Sequence, residues 1–248
     1  MAPRFAALLC LGLALMPGPG ARAQDLSDEV ASGHHLAGVL RSARAVLSSN
    51  QPLINDDALA DKGLTAQAFL DQLTDVYIET NGKPPLSQDL TPLQRELTEA
   101  QLEAISEVVT EHQDLINTPH MGFKGFIPAV FARLVNERFG EKVGHLASVK
   151  VTAPAELVRN RKARPDAWEA AVIEEKFRDP DWLKGEPWYE LVATDGGDRF
   201  RMLIPEYYSP SCLSCHGEPA GEVDVTGFPK EGGREGELGG AISITLTE

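Results

Sequence analysis

Cysteine is scarce in this sequence, with three residues in a chain of 248. Cys10 lies in an apolar N-terminal run with the pattern of an export signal, so we expect only Cys212 and Cys215 to remain after processing. These two stand within one short motif, which excludes a long-range disulfide even in an oxidising compartment. No second cysteine pair exists, so a four-ligand zinc site would lack ligands.

Positive charge is also in short supply. The chain has 23 lysines and arginines against 37 acidic residues, and its formal net charge is -14. Such a surface repels the phosphates of nucleic acid, so we expect no nucleic-acid partner. Beyond the N-terminal run, no apolar stretch is long enough to cross a bilayer, and we expect no membrane span.

The N-terminus has the three parts of an export signal. Arg4 supplies positive charge, residues 5–16 are apolar but too few to span a membrane, and Ala21 and Ala23 form a small-x-small cleavage pattern. We expect cleavage after Ala23 and a mature protein that is periplasmic or otherwise exported. This prediction gives a signal peptide, residues 1–23, followed by a single domain, residues 24–248.

Hydrophobic periodicity changes character along the expected mature chain. Apolar residues first recur at helical spacing, which predicts helices at 26–50, at 65–80, from Thr98 with Gln101 completing a capping box, and at 126–139. Apolar and polar residues then alternate, which predicts strands at 147–152, 188–194, 200–204 and 241–246. Turn residues at 195–198 predict a hairpin, and residues 167–177 a short helix.

The order of these elements indicates the fold class. Helices come first, strands come second, and no regular βαβ alternation connects them. We therefore predict an α+β fold, with a helical part at about 24–143 packed on an antiparallel sheet within about 144–248.

One motif carries chemistry: residues 212–216 read CLSCH, the C-x-x-C-H pattern of covalent heme attachment. In this pattern two thiols add to the two heme vinyl groups, and the adjacent imidazole, here His216, binds the iron. The motif occurs once, so we expect one heme c per chain, held by Cys212, Cys215 and His216. Gly217 leaves room for the chain to turn away.

A redox dithiol is the main alternative for the same two cysteines. It would place Cys212 at the N-terminus of a helix, where the thiol pKa falls. Pro205, Ser209 and Pro210 precede the motif and no helical pattern follows it, so the sequence favours heme attachment.

The second axial ligand of the iron is left open by the sequence. His120 precedes an apolar, glycine-bearing segment that could line a pocket, while His34 and His35 lie on the first helix, which could cross the heme face. These three are the distal candidates, and the sulfurs of Met121 and Met202 are further possibilities. Iron with only five ligands would instead bind a gas or another small molecule. The remaining histidines are expected elsewhere, His112 in solvent and His145 in a structural position.

A basic cluster stands out in this acidic chain, formed by Arg159, Arg161, Lys162 and Arg164. It could pair with heme propionates through charge-assisted hydrogen bonds. The alternative, which the sequence slightly favours, is a solvated loop that forms ion pairs with neighbouring carboxylates. Trp168 and Trp188 are expected in the core.

Several stretches together resemble a family of exported, single-heme c-type cytochromes, first described in cyanobacteria and long carried as a domain of unknown function. The stretches are 125–131, 159–169, 212–217, 226–232 and 239–244, and the resemblance extends from about residue 30 to the C-terminus. It implies a PAS-like sheet with N-terminal helices and heme packed against it, and a sensory or redox role. Some members are similar to a type with an axial cysteine on the first long helix. This chain has no cysteine there, so its distal ligand must differ or be absent.

The sequence supports two functions and disfavours a third. The first is a sensor of redox state or of a small ligand at the iron, and the second is a small electron carrier. Either would act with an unidentified redox or signalling partner, since no signalling domain follows the module here. A peroxidase-type enzyme would need an acid–base pair on the distal side, commonly His with Arg, and no such pair stands close together in the sequence.

Overall fold

The computed structural model describes residues 25–247, and its first half is helical. The expected export signal, its cleavage site and Cys10 lie outside the described residues. Ahead of the first strand come six helices: α1 (Ser27–Ser49), α2 (Gln51–Ile54), α3 (Ala66–Asn81), α4 (Pro92–Glu111), α5 (Gln113–Asn117) and α6 (Pro128–Val143). None of the helices within 25–247 combines the length and the apolar character needed to cross a membrane.

Helix α4 begins earlier than the sequence analysis predicted. Its cap is Thr91, whose hydroxyl accepts from the Gln94 backbone N–H at 3.2 Å, while the Gln94 side chain accepts from the Thr91 N–H at 3.1 Å. The predicted start at Thr98 is therefore wrong. Thr98 and Gln101 are fully buried inside the helix, and the Gln101 amide donates to the Leu36 carbonyl of α1 at 3.2 Å.

The second half forms one four-stranded antiparallel sheet. The strands are β1 (Ala147–Thr152), β2 (Trp188–Thr194), β3 (Gly197–Tyr207) and β4 (Leu238–Thr247), in the spatial order β1-β4-β3-β2. The predicted strands and hairpin are confirmed, although β3 and β4 are longer than expected. Helix α7 (Ala167–Val172) and a π-helical turn, Ile173–Phe177, fill the predicted helix at 167–177. The fold is α+β, as predicted.

The two faces of the sheet bury different residues, because neighbouring strand residues point to opposite sides. One face packs under the helices through apolar side chains of three strands, among them Phe200, Met202, Ile204, Ile242 and Ile244. The other face carries a smaller cluster around Leu203 and Ala241. Trp168 and Trp188 only partly bury their rings against this cluster, so they lie at its margin and not in the core.

Helix α1 lies along β3 and ties the helical layer to the sheet. A Cβ on Gly33 would lie 2.5 Å from the Met202 sulfur, so the helix backbone approaches the strand closely at that point. Further along, Arg41 and Arg44 donate to the Glu206 carboxylate at 2.7 and 2.8 Å. The β3–β4 register shifts between Glu206 and Tyr207. Irregularities of this kind change the direction in which the following side chains point.

The connection between β3 and β4 carries the C-x-x-C-H motif. Tyr207 pairs with Leu238 across the two central strands, so the intervening segment, 208–237, leaves and re-enters the sheet at the same end of these strands. We call this segment the motif loop. Because both its ends are held by neighbouring strands, its interior contacts decide how the motif is presented.

Candidate functional site

The motif is one turn of helix at the start of the motif loop. A 3-10 turn, Pro210–Cys212, leads into α8 (Leu213–His216). The expectation that no helix follows Cys212 is therefore wrong, because Cys212 occupies the N-cap position of α8. A four-residue helix aligns few peptide dipoles, however, so this placement alone gives little stabilisation of a thiolate. A Cβ on Gly217 would lie 2.4 Å from the Leu213 carbonyl oxygen, which explains the glycine at the turn.

Both motif cysteines have free, half-buried thiols. Residues three apart on a helical turn lie on the same side, so the two sulfurs face one region of the surface. Their polar neighbours are serines of the same segment: Ser209 Oγ lies 3.3 Å from the Cys212 sulfur, and Ser214 Oγ lies 3.8 Å from the Cys215 sulfur. The pair is therefore available for two covalent bonds to one group.

The His216 imidazole is held through one of its two ring nitrogens. Its Nδ1 lies 2.9 Å from Glu231 Oε2, and the His216 side chain keeps 31% of its surface exposed. A carboxylate only accepts hydrogen bonds, so Nδ1 carries a proton and the lone pair of a neutral ring resides on Nε2. No residue between 25 and 247 forms a hydrogen bond with Nε2. This nitrogen is the one left for a metal.

Tyr208 fixes the plane of the imidazole. The two rings stack with their centroids 5.4 Å apart and their planes inclined by 22°. The tyrosine ring is itself confined by two backbone segments, since a Cβ on Gly233 or on Gly239 would lie 2.4 or 2.5 Å from it. The Tyr208 hydroxyl is buried, and no residue of the described chain pairs with it. Burial, aided by the charge of Glu231, raises the pKa of Tyr208 to about 12.

Arg159 connects three separate parts of the motif loop by hydrogen bonds. Its guanidinium donates to both Glu231 oxygens, at 2.7 and 3.0 Å, and to Asp224 Oδ2 at 2.6 Å. It also donates to the Cys215 carbonyl at 2.8 Å. The Asp224 side chain has no exposed surface, and Arg159 keeps 19% of its own. Arg159 is thus a nearly buried cation with two carboxylate partners.

For Arg159, Asp224 and Glu231, the effects of charge and hydrogen bonding on the pKa outweigh the effect of desolvation. Burial raises the pKa of Asp224 and of Glu231, but hydrogen bonds outweigh it and hold both pKa values below their usual range. Asp224 receives its hydrogen bonds from Thr226 and Arg159, and Glu231 from Arg159 and His216. Burial likewise opposes the charge of Arg159, yet its carboxylate partners raise the pKa of the guanidinium. All three groups are charged at neutral pH.

Asp224 also shapes the turn that brings Glu231 back towards the motif. Its carboxylate accepts from the backbone N–H of Thr226 at 2.7 Å, from the Thr226 hydroxyl at 2.6 Å and from the Phe228 N–H at 3.2 Å. Side chains that satisfy local backbone groups in this way favour turns over regular structure.

Of the two possibilities raised for the basic cluster, carboxylate pairing holds for Arg159 and Lys162. The latter contacts Glu137 at 2.6 Å on the surface. Arg161 and Arg164 are exposed, and neither forms an ion pair within the described part of the chain.

The three distal candidates lie in different surroundings. His35 Nδ1 lies 2.9 Å from the Tyr77 hydroxyl on α3, and burial lowers the pKa of its ring. His34 borders a shallow surface groove with Tyr189. His120 is exposed, has a left-handed φ of 59°, and donates its backbone N–H to the carbonyl of Asp57 at 2.8 Å. Among residues 25–247, none of the three hydrogen-bonds to or stacks on the motif segment, 210–217, so their role as iron ligands stays a prediction.

The two methionines considered as ligands also differ in position. Met202 is fully buried under α1, in the main core. Met121 is 43% exposed in the segment before α6. Core packing therefore accounts for Met202 without any ligand role.

The remaining two histidines are not where the sequence suggested. His112 was expected in solvent, but its ring stacks on Phe126 with centroids 4.5 Å apart, and its Nδ1 lies 2.7 Å from the Val108 carbonyl. That expectation is wrong because His112 is the C-cap residue of α4, and its ring packs against the buried Phe126. His145 is exposed in the turn before β1.

Sequence reasoning missed the residues that support His216. Glu231 follows the histidine by fifteen positions, inside a glycine-rich loop that gives no periodic signal. Tyr208 lies between the strand predicted at 200–204 and the motif, in a stretch to which the sequence assigned no role. The available sign was that Arg159 and Glu231 fall in two of the stretches, 159–169 and 226–232, that resemble the cytochrome family.

The fold and the site together define the class: an α+β protein with an antiparallel sheet, whose β3–β4 connection presents two free thiols beside a carboxylate-held histidine. The family model of the Tll0287-like proteins, described as Tll0287, matches residues 58–247. This stretch covers most of the chain, including the whole sheet and the motif loop, so the chain belongs to the Tll0287-like family. No curated protein and no solved structure matches the chain.

Proposed function

We propose that the protein carries one heme c, bound covalently through Cys212 and Cys215, with His216 as the proximal iron ligand. The observation that supports this most directly is the state of His216. Its Nδ1 is committed to Glu231 at 2.9 Å, and its Nε2 is the nitrogen available to a metal. Heme ligation uses this arrangement, in which a second partner fixes the tautomer and the orientation of the ring.

The residues present fit the group chemically. Two unpaired thiols on one helical turn match two vinyl groups, and a neutral imidazole follows the second thiol directly. The hydroxyl of Tyr208, whose ring stacks on His216, is buried and unpaired within residues 25–247 and offers one further donor. Buried polar groups are seldom left without a partner, so this hydroxyl is consistent with an additional bound group.

The function we propose is that of a sensor of redox state or of a small ligand. When bound, the heme iron supplies a reversible one-electron change between Fe(III) and Fe(II) and a coordination position for a ligand. The chain's own residues hold and orient His216, through Glu231 and Tyr208. We further propose that the four-stranded sheet is PAS-like and that the heme packs against it, in an exported, periplasmic protein that acts on a separate redox or signalling partner.

The choice between a sensor and a simple electron carrier depends on the sixth iron ligand. A carrier needs six-coordinate iron that changes little in geometry between its two oxidation states. Here His35 Nδ1 is engaged by Tyr77 while its Nε2 is buried without a partner among residues 25–247, and His120 is exposed on a segment tied to Asp57. None of these contacts commits a histidine to the iron, so we propose an exchangeable sixth position. Electron transfer remains the alternative, with His120, His35 or His34 as the sixth ligand.

Heme attachment is tested by expressing the full chain in a bacterial host that attaches heme to exported proteins. We expect a heme-stained band on a denaturing gel, and we expect Cys212→Ala with Cys215→Ala to abolish it. Ser214→Ala, which alters a residue between the two cysteines and leaves both thiols, is the matched control and should keep the stain. A mature wild-type chain with the mass of bare polypeptide would contradict the proposal.

The choice between sensor and carrier is tested with carbon monoxide and the reduced protein. Ready binding, seen as a shift of the Soret band, supports an exchangeable site, whereas no shift supports a six-coordinate carrier. Spectra of His120→Ala, His35→Ala and His34→Ala then identify a sixth ligand, with exposed His145→Ala as the control. If no variant differs from the control, none of the three candidates binds the iron.

A further inference from the structure

The structure gives His216 a carboxylate partner that is itself held by Arg159, and this geometry bears on the metal that His216 would bind. Glu231 has two roles at once: Oε2 accepts from His216 Nδ1 at 2.9 Å, and both its oxygens accept from Arg159. The side chain keeps only 16% of its surface exposed. Bulk water therefore screens this carboxylate poorly from the imidazole.

We propose that Glu231 is a positioning residue that makes His216 an electron-rich ligand and thereby stabilises Fe(III) over Fe(II). The inference rests on the proposed heme attachment. A carboxylate that accepts from the Nδ1–H draws that proton away and raises the basicity of Nε2. A more basic ligand, with a fixed negative charge behind it, favours the more positive metal ion.

Arg159 sets the geometry of this pair. It holds both carboxylate oxygens of Glu231 and, through Nη2, the carbonyl of Cys215, the residue directly before the ligand. The guanidinium thus fixes the carboxylate and the ligand-bearing turn in one rigid unit. Arg159 does not cancel the effect of Glu231, because Asp224 also pairs with it at 2.6 Å. The three charged groups sum to one negative charge beside His216.

Tyr208 adds a second constraint on the same ring. Its stacking against the imidazole, between the backbones at Gly233 and Gly239, restricts rotation of the ring about its bond to the chain. The Nδ1 nitrogen therefore stays on Glu231, and Nε2 points in one direction.

The first experiment measures the reduction potential of the heme-loaded full chain by optical titration. We expect Glu231→Gln, which keeps the shape and removes the charge, to shift the Fe(III)/Fe(II) equilibrium at least tenfold towards Fe(II). For a one-electron couple this is a rise of at least 59 mV. Glu222→Gln is the matched control, because it removes the same charge from the same loop and the Glu222 side chain pairs, among residues 25–247, with Lys230 alone. Equal shifts in the two variants would overturn the proposal.

If Glu231→Gln fails to load heme, Glu231→Asp replaces it. This variant keeps the loop's charge and withdraws the carboxylate by one methylene, so a rise in potential is again expected and an unchanged potential contradicts the inference.

The second experiment needs no heme and separates this inference from the proposed function. In the full chain with Cys212→Ala and Cys215→Ala, nitrogen-15 NMR should show the proton of neutral His216 on Nδ1. Adding Glu222→Gln should leave this tautomer in place, whereas adding Glu231→Gln should weaken the Nδ1–H preference. A proton on Nε2 in the chain that keeps Glu231 would overturn the positioning role, whether or not the wild-type chain carries heme.

Discussion

Arg159 is the residue whose removal should damage the fold most among the charged side chains of the motif loop and its neighbours. Arg159→Met keeps much of the apolar stem and removes the guanidinium. Asp224, with no exposed side-chain surface, and Glu231, with 16%, would then be left as carboxylates without their cation. The Cys215 carbonyl would also lose its donor.

The magnitude follows from burial. Removing one partner of a buried ion pair costs about 3–5 kcal/mol, because the other charge stays desolvated. Arg159 keeps 19% exposure, so we take the lower end and expect a loss of about 3 kcal/mol in the free energy of unfolding. For a chain of this size that corresponds to a fall in melting temperature of roughly 6–12 °C.

Arg138→Met is the control that makes this prediction specific. Arg138 pairs with three carboxylates, Glu107, Glu111 and Glu141, more than Arg159 does. Its partners are 32%, 51% and 70% exposed, so each pair contributes only about 0–1 kcal/mol. Urea unfolding of both variants, in the heme-free cysteine-to-alanine chain, compares them without contributions from the cofactor. A loss for Arg159→Met no larger than that for Arg138→Met would refute the reasoning from burial.

The pH dependence provides a second check on the same variant. The pKa values of Asp224 and Glu231 are depressed in the folded chain, so their contribution to stability is present above the ordinary carboxyl pKa. It is lost as the pH falls through the lower, folded values. Without Arg159 these pKa values rise and the carboxylates can be neutralised by protonation. The difference in stability between wild type and Arg159→Met should therefore be full at pH 7 and shrink below about pH 4. A difference that stays constant or grows on acidification would contradict the assignment.

Two further predictions concern the cap of α4 and the packing of the Tyr208 ring between Gly233 and Gly239. Thr91→Ala should lower the free energy of unfolding by about 1 kcal/mol through loss of the α4 capping box, whereas the exposed, back-bonded Thr110→Ala should cost less, as measured by urea unfolding. Gly239→Ala should cost about 1–3 kcal/mol, because the new Cβ would lie 2.5 Å from the Tyr208 ring. Gly122→Ala is its control, because no atom lies within 4 Å of the Cβ added there. Equal losses in the two variants would argue against close packing of the Tyr208 ring on Gly239.

Sequence patterns predicted the sheet better than the helical layer. Alternation and the glycine turn placed the hairpin at 195–198, because a half-buried strand leaves a period-two signature in its own residues. The start of α4 was missed because Thr98 and Gln101 repeat the spacing of Thr91 and Gln94. Tertiary burial, which the sequence does not display, distinguishes the two pairs. Residues inside a helix can imitate a cap whenever threonine and glutamine happen to pack in the core.

The candidate site divides in the same way. The motif residues could be predicted because their spacing is set by covalent chemistry along the chain. Glu231 and Arg159 could not, because they meet His216 only once β3 and β4 have closed the loop between them. Supporting contacts of this kind depend on the fold and leave no fixed spacing in the sequence.

The central place of β4 has a consequence for how the protein is made. Strand β4 pairs with both β1 and β3, so β1 cannot join the sheet, and the motif loop cannot close, until Leu238–Thr247 is in place. The thiols and the imidazole of the motif are synthesised before this strand, and therefore before the sheet that holds the motif loop is complete. Any modification of these sulfurs by another enzyme can thus begin before the sheet has closed around the motif loop.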